Sequence, residues 1–280
     1  MTTAGFIGLG SQGAGMAQRI IDEGVPTTLW ARNPSSLVAF RGRADCAASP
    51  AELGQLSDVV GVCVTDDDAV REVVLGPTGL LGGMRTGSVL AIHSTIGTAT
   101  CAEIDEAANG HGVAVIDAPV SGGGAAAAAG SLTVYVGGRQ DAVERARPIL
   151  GTYGDPVLHM GGLGSGLRTK LINNVLNAAQ FGLAHDAMVV GEALGLDPGL
   201  LGQALTSGSG KSFALEVYVG LGSLDAIAGH LGPLLSKDVG LFGFEALPEE
   251  AAERAALLSA ADRLLAVLDY PRSNDGRTDR

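Results

Sequence analysis

The sequence predicts an α/β protein in which a parallel, doubly wound sheet is followed by an all-α C-terminal domain. Three observations support this prediction. In the first half of the chain, short apolar runs alternate with longer helical patterns, as in parallel sheets built from βαβ units. The runs are continuously apolar, which is typical of strands covered on both faces. Strand-like runs then stop near residue 162, and helical patterns continue alone.

The strand and helix candidates of the first half follow one another in a regular order. The predicted strands are AGFIGLG, TTLWAR, DVVGVCV, SVLAIHS, GVAVIDAPV and LTVYVGG. Helices are predicted at 13–23 and 50–56. The run AAAAAG at 125–130 is also interpreted as a short helix and not as a linker, because alanine favours helix.

The second half opens with a cluster of glycines and then becomes helical. The pattern is helical from Leu163 to Leu196, with a long helix expected to start near Ser165, and helical signals continue to about Asp269. The final segment, PRSNDGRTDR, is polar and expected to fray. We therefore predict a dinucleotide-binding domain over 1–162, a helical domain over 163–270 and a flexible tail over 271–280.

Composition excludes several classes of function. The 280 residues carry a net charge of −12, which is unsuited to nucleic acid or to an anionic membrane surface. The three cysteines have no metal-like spacing, and their odd number argues against a disulfide framework, so no metal site is predicted. Since no signal-like or membrane-length apolar segment is recognised, a cytoplasmic protein is expected.

A glycine-rich loop follows the first predicted strand. Gly8, Gly10 and Gly13 form G-x-G-x-x-G directly before the first predicted helix. In the Rossmann dinucleotide-binding fold, these glycines permit a tight turn, close approach to the pyrophosphate and close strand–helix packing. The position of the loop at the start of a βαβ unit favours this interpretation over a purely structural turn. The predicted loop is completed by Leu9, Ser11 and Gln12.

The end of the second predicted strand indicates which dinucleotide is preferred. A carboxylate there would bind the ribose hydroxyls of NAD, but the segment is LWARNP. Arg32 is available to pair with a 2′-phosphate, and Asn33 follows it. The sequence thus favours NADP(H) over NAD(H). The alternative is that Arg32 is an exposed cation that stacks on adenine.

The first helix of the second half carries polar side chains on one face. Lys170 and Asn174 are four residues apart, and Asn177 continues the same face of an otherwise apolar helix. One interpretation is a solvated stripe or a polar contact between domains. The other is that Lys170 exchanges a proton with a substrate oxygen, since an apolar surrounding brings the pKa of a lysine towards the working pH.

Several separated motifs resemble one enzyme family. They are FIGLGSQGAGMA at 6–17, DAPVSGG at 117–123, GLGSGLRTKLINN at 162–174 and SKD at 236–238, with VTDDDAV at 64–70 and HSTIG at 93–97 also fitting. In this order, and across about residues 4–245, they resemble the β-hydroxyacid dehydrogenase family, which includes 3-hydroxyisobutyrate dehydrogenase and tartronate semialdehyde reductase.

The resemblance implies a role for each matching position. Lys170 would be the catalytic lysine, and Asn174 would help to hold the substrate. Ser121, Gly122 and Gly123 would bind a substrate carboxylate, for which backbone N–H groups are suited. Further positions implied to lie at the cofactor are Val64, Thr65, Thr95 and Lys237. The resemblance also implies a homodimer or homotetramer that transfers hydride reversibly between NADP(H) and a small β-hydroxyacid or its semialdehyde.

Two departures from the family pattern concern the substrate more than the reaction. Gln12 stands where the family usually has methionine, and Ala126 where glycine is common. Two rival functions remain at this point. An imine reductase would share the architecture but usually lacks a lysine at position 170. A non-catalytic NADP-binding protein would keep the glycine loop without needing the Lys170–Asn174 face.

Overall fold

The computed structural model describes residues 2–245 and 252–273. The chain divides into two compact units, Met1–Lys170 and Leu171–Arg280. This division falls inside a helix, eight residues beyond the boundary predicted at 162. The predicted domain limits remain a prediction. Most of the predicted tail, residues 274–280, lies outside the described residues.

The first unit contains a mixed sheet. Its strands are β1 Ala4–Ile7, β2 Thr27–Trp30, β3 Asp45–Cys46, β4 Val59–Val62, β5 Val89–Ile92, β6 Ala114–Asp117, β7 Val120–Ser121, β8 Leu132–Gly137 and β9 Gly154–Gly161. The order is β3-β2-β1-β4-β5-β6-β8-β7, and β9 pairs with β8. The first six positions follow the order of the Rossmann fold, which confirms the predicted class.

One edge of the sheet differs from the expected parallel arrangement. Strand β8, predicted from LTVYVGG, runs antiparallel to both β6 and β7. The segment between Ser121 and Leu132 contains only one short helix. It is too short for the crossover that a parallel pair requires, so the chain reverses direction here.

The carboxyl ends of five strands lie side by side. Ile7 pairs with Trp30 and Val62, and Val62 pairs in turn with Ile92, which is opposite Asp117. The residues that follow these strands therefore emerge at the same edge. In open α/β sheets, ligands bind outside this edge.

Helices cover both faces of the sheet and form the second unit. The α-helices are α1 Gly13–Asp22, α2 Pro50–Leu56, α3 Asp67–Leu75, α4 Thr98–Asn109, α5 Gly123–Ala129, α6 Gln140–Leu150, α7 Ser165–Ala193, α8 Pro198–Ser207, α9 Phe213–Leu221, α10 Asp225–Phe244 and α11 Ala252–Leu268. Two 3-10 helices span Pro34–Phe40 and Leu80–Gly82. The predicted short helices at 50–56 and 125–130 and the predicted start near Ser165 are confirmed.

Two apolar cores lie on opposite faces of the sheet. Phe6 belongs to one core and its neighbour Ile7 to the other, because successive strand residues point to opposite faces. Met16 and Ile20 of α1 are fully buried in the first core. Burial on both faces explains why the strands are continuously apolar.

The second unit has its own core, and its described residues form helices without any strand. Apolar side chains from α7, α9, α10 and α11 meet there, among them Phe181, Leu215, Val239 and Leu264. Helix α7 is the element that belongs to both units, since it begins before Lys170 and ends after it. None of the described helices is both long enough and apolar enough to cross a membrane.

Candidate active site

The glycine loop joins β1 to α1, and its glycines are required for different reasons. Gly8 has a φ of +97°, and a Cβ atom there would lie 2.0 Å from the carbonyl oxygen of Cys63. A Cβ atom on Gly13 would lie 1.8 Å from the oxygen of Gly8. A Cβ atom on Gly10 would meet nothing within 4 Å. The protein itself does not require a glycine at position 10, whereas a dinucleotide pyrophosphate approaching the backbone would.

The other residues of the loop differ in exposure. Leu9 packs against the first core, whereas Ser11 is exposed. Gln12 precedes α1 without capping it through its side chain, and this side chain is partly exposed. The N–H groups at the start of α1, together with the helix dipole, suit the phosphates of a dinucleotide. The residues present thus fit NAD or NADP.

The segment after β2 carries a cation that lies close to a carboxylate of α3. The guanidinium of Arg32 is 3.6 Å from a carboxylate oxygen of Glu72, and both side chains are well exposed, at 81% and 67%. The side-chain oxygen of Asn33 accepts the N–H of Ser35 at 3.1 Å and caps the 3-10 helix. Asn33 therefore has a structural role at the predicted 2′-phosphate position. The sequence analysis did not identify Glu72.

The loops after β4 and β5 are hydrogen-bonded to each other. The N–H of Val64 donates to the hydroxyl of Ser94 at 2.8 Å, and Thr65 donates to Asp66 at 2.7 Å. Thr95 follows Ser94 and is partly buried. The predicted cofactor residues at 64, 65 and 95 thus lie in the loops that follow two neighbouring strands, at the same edge of the sheet.

A buried histidine to which the sequence analysis gave no role, His93, directly follows β5. Since the carbonyl of Ala118 can only accept, Nδ1 of His93 carries the hydrogen and donates to it at 2.7 Å. Nε2 then accepts the hydroxyl hydrogen of Tyr153 at 3.1 Å. Phe6 stacks on the imidazole ring. Burial lowers the pKa of His93 to about 4, so the ring is neutral near pH 7.

The predicted carboxylate loop leads into α5, which starts beside the dinucleotide loop. Gly122 and Gly123, with φ of +131° and +73°, turn the chain from Ser121 into α5. A Cβ atom on Gly124 would lie 2.9 Å from the oxygen of Ser11. The residue directly after the loop assigned to the substrate therefore lies against the loop assigned to the cofactor. Ala126, the departure noted above, lies beside Gly122: a Cβ atom on this glycine would be 2.6 Å from that of Ala126.

The side chain of Asp117 is a second feature to which the sequence analysis gave no role of its own. It is fully buried, and its carboxylate accepts the N–H groups of Gly164 and Leu167, each at 2.7 Å. Burial raises the pKa of this carboxyl, while the N–H donors oppose the increase. The sequence signal was a carboxylate at the end of an apolar strand, which needs buried partners.

Lys170 is partly buried on α7, one turn before Asn174. The amide of Asn174 is buried and donates to Asp238 at 2.5 Å, while it accepts from Asn173 at 3.1 Å. The ammonium of Lys237 contacts the second oxygen of Asp238 at 2.7 Å. The second unit thus brings together Asn174 and the SKD motif, which are far apart in sequence, with Asp238 as the link.

Among the described residues, no group of three or more His, Cys, Asp or Glu side chains is arranged to hold a metal ion. The polar groups of the predicted site are instead Lys170 and backbone N–H groups in the first unit, and the amide of Asn174, the ammonium of Lys237 and the carboxylate of Asp238 in the second. Such groups can bind an anion and move a proton.

Comparison with known proteins gives family models for both units. Residues 3–162 match the model described as the NAD binding domain of 6-phosphogluconate dehydrogenase. Residues 164–268 match the model described as NAD-binding of NADP-dependent 3-hydroxyisobutyrate dehydrogenase.

Individual relatives match across most of the chain. Mitochondrial 3-hydroxyisobutyrate dehydrogenase of Homo sapiens is 34% identical over 250 residues, covering 86% of this chain and 74% of the human protein. NAD-dependent L-serine dehydrogenase of Pseudomonas aeruginosa is 36% identical over 265 residues, covering 91% and 87%. A solved 3-hydroxyisobutyrate dehydrogenase of Mycobacterium tuberculosis with L-serine has a TM-score of 0.78 at 28% identity, covering 96% and 98%.

Proposed function

Because this chain belongs to the β-hydroxyacid dehydrogenase family, we propose that it is an NADP(H)-dependent oxidoreductase acting on a small β-hydroxyacid or its semialdehyde. The observation that carries this proposal is the close approach of Ser11 in the dinucleotide loop to Gly124, the residue directly after the carboxylate loop. An anionic substrate bound by the second loop would lie beside the cofactor bound by the first. When bound, the nicotinamide supplies or accepts the hydride.

In the proposed reaction, Lys170 handles the proton. During reduction its ammonium donates a proton to the carbonyl oxygen, and during oxidation the neutral amine accepts the proton of the alcohol. Asn174 cannot exchange a proton, but its amide hydrogen-bonds Asp238 and is fixed in position. We propose that Asn174 orients the substrate and that this fixed geometry lowers the barrier by preorganisation.

The substrate carboxylate is proposed to bind at Ser121, Gly122 and Gly123. Both glycines have positive φ values, and we propose that the backbone N–H groups of this turn face the carboxylate, since such turns can bind anions. Ser121 is partly exposed, and its hydroxyl adds a donor. Acids should therefore react much faster than amides or methyl esters of the same shape.

The cofactor preference rests on Arg32. No carboxylate of β2 or its following turn occupies the position that binds the ribose of NAD, and the guanidinium is 81% exposed. An exposed guanidinium there suits a 2′-phosphate. A relative described as NAD-dependent and a family model described as NADP-dependent both match this chain, so the proposed cofactor preference is based on Arg32 and its neighbours.

The reaction is tested by following NADP⁺ reduction with 3-hydroxyisobutyrate, 3-hydroxypropionate, glycerate, serine and 4-hydroxybutyrate. We expect turnover with at least one acid in which the hydroxyl is on the β-carbon, and none with its amide. Repeating the screen with NAD⁺ tests the cofactor preference. Equal rates for an acid and its methyl ester would remove the carboxylate from the proposal.

A further inference from the structure

The carboxylate of Asp117 occupies an unusual position between two functional segments. Asp117 is the last residue of β6, and its side chain has no solvent exposure. One oxygen accepts the N–H of Gly164 and the other accepts the N–H of Leu167. N–H groups at a helix N-terminus lack partners within the helix, so Asp117 satisfies two donors at the start of α7.

Glycines leave room for this carboxylate on both sides. A Cβ atom on Gly137 of β8 would lie 2.3 Å from Oδ1 of Asp117. A Cβ atom on Gly166 of α7 would lie 2.8 Å from Oδ2 and 2.2 Å from the carbonyl oxygen of Tyr135. The carboxylate is therefore confined by backbone from two elements as well as by its own strand.

The two sides of this contact carry different parts of the proposed chemistry. Immediately after Asp117, the chain is held by His93 at Ala118 and then forms the carboxylate loop at Ser121. On the other side, Lys170 follows Leu167 within the next helical turn. All these residues belong to the first unit.

We propose that Asp117 is a positioning residue, which fixes the start of the lysine-bearing helix α7 relative to the loop that binds the substrate carboxylate. It does not touch the reacting atoms. The expected effect on kcat rests on the proposed function. The contact of Asp117 with α7 can be measured without substrate, by hydrogen exchange.

The test is Asp117→Asn, which keeps the size of the side chain. Its oxygen can accept one N–H, but its NH₂ group faces the other donor, so the start of α7 should move. Displacement of about 1 Å can cost 10²-fold in rate. We expect kcat to fall by about tenfold to a hundredfold and NADPH affinity to stay unchanged. Hydrogen exchange at Gly164 and Leu167 should become faster.

Gly137→Ala is the second variant, since its Cβ atom would displace both the carboxylate of Asp117 and the carbonyl oxygen of Gly162 just before α7, without changing Asp117. Like Asp117→Asn, it should lower kcat and leave NADPH affinity unchanged. Ser49→Ala is the matched control. It removes a side-chain cap from α2, where Ser49 accepts the N–H of Glu52 at 3.1 Å. It should lower stability and leave kcat and KM as in the wild type.

Three results would overturn the inference. Asp117→Asn could lose thermal stability yet keep wild-type kcat and KM, which would make the contact an ordinary cap. Both variants could fail to fold or bind NADPH, which would make the carboxylate a requirement of the fold. The wild-type amides of Gly164 and Leu167 could exchange as fast as exposed loops. If the wild type turns over no β-hydroxyacid, the proposed function fails, and the exchange measurements alone decide the positioning.

Discussion

At the scale of single residues, Lys170 is the group on which the proposed proton transfer depends. The prediction is that Lys170→Ala lowers kcat by about 10²–10⁴-fold, the usual contribution of a general acid–base group. NADPH affinity should stay the same, because the cofactor loop lies at the start of the first unit. Lys170→Arg should not restore activity, since a guanidinium stays protonated and has a different reach.

Single-turnover hydride transfer and NADPH titration measure the two effects separately. Oxidation of the alcohol by the wild type should become faster with rising pH as the amine loses its proton. A Lys170→Ala protein that binds NADPH and retains more than about a tenth of the hydride-transfer rate would contradict the assignment, since that loss is below the usual range.

Arg32 and Glu72 form a pair whose members should act in opposite directions on NADPH. Loss of a charged hydrogen-bonding partner costs roughly 1.5–3 kcal/mol, so Arg32→Ala should weaken NADPH binding by about tenfold to a hundredfold and leave NADH nearly unchanged. Glu72→Gln should strengthen NADPH binding, because a carboxylate 3.6 Å from the guanidinium repels the phosphate and competes for the cation.

Titration of the variants with both cofactors is the measurement. Arg41→Ala removes another exposed arginine of the same region and is the control. Equal losses for NADPH and NADH in Arg32→Ala would favour the alternative in which the side chain stacks on adenine.

At the scale of elements, two glycines of the same loop serve different purposes: Gly13 is required by the fold, and Gly10 is expected to be required only by the cofactor. Gly13→Ala would place a Cβ atom 1.8 Å from a backbone oxygen and should lower the melting temperature strongly. Gly10→Ala meets no protein atom and should leave the melting temperature unchanged, yet weaken NADPH binding because its methyl group occupies the pyrophosphate position. Thermal unfolding with and without NADPH compares them. Undiminished stabilisation by NADPH in Gly10→Ala would contradict this.

The buried side chain of His93, which hydrogen-bonds Ala118 just after β6, predicts how the stability of the protein depends on pH. The folded protein protonates His93 only near a pKa of about 4, whereas an unfolded histidine binds a proton near 6.5. Between these values the unfolded chain binds more protons, so the free energy of unfolding should decrease as the pH falls from 6.5 to 4, by at most about 3 kcal/mol. Denaturant unfolding of the wild type and His93→Gln over this range measures the difference. Parallel pH profiles would exclude His93 as the cause.

At this scale, the sequence could predict those features of the fold that depend on residues close together in the chain. The glycine loop, the short helices and the start of α7 depend on neighbouring residues, and each is confirmed. Contacts across long separations were not predictable from these signals: Asp117 meets Leu167 across 50 positions, and Tyr153 meets His93 across 60. The antiparallel direction of β8 was also not predicted, because the apolar pattern of a strand does not indicate whether it runs parallel or antiparallel to its neighbours.

At the scale of the whole molecule, the exposed face of α7 predicts self-association. Leu176, Leu183 and Val190 are spaced seven residues apart and share one face, with 47%, 62% and 57% of each side chain exposed. Ile172 extends this apolar stripe by a turn. Such continuous apolar surface usually marks a protein interface, and we propose that a homodimer or homotetramer covers it.

Leu183→Glu should therefore shift the protein towards the monomer, because a charge in an apolar interface is costly to bury. Sedimentation over a range of concentrations measures the shift. Ala102→Glu, which adds the same charge on the exposed side of α4, is the control and should change nothing. A wild type that sediments as a monomer at all concentrations would contradict the proposal.

Because Asp117 caps α7, the position at which the chain can be divided into separately folding fragments is restricted. A fragment ending at 162, where the strand pattern stops, would leave a buried carboxylate without the N–H groups of Gly164 and Leu167. Loss of such partners costs about 1–3 kcal/mol or more for a charged group. Recombination with a related dehydrogenase at that junction would require the backbone N–H groups of a foreign helix to restore both contacts. A fragment that extends past Lys170 keeps both donors, so interchangeable halves of this protein should be joined within α7 and not before it.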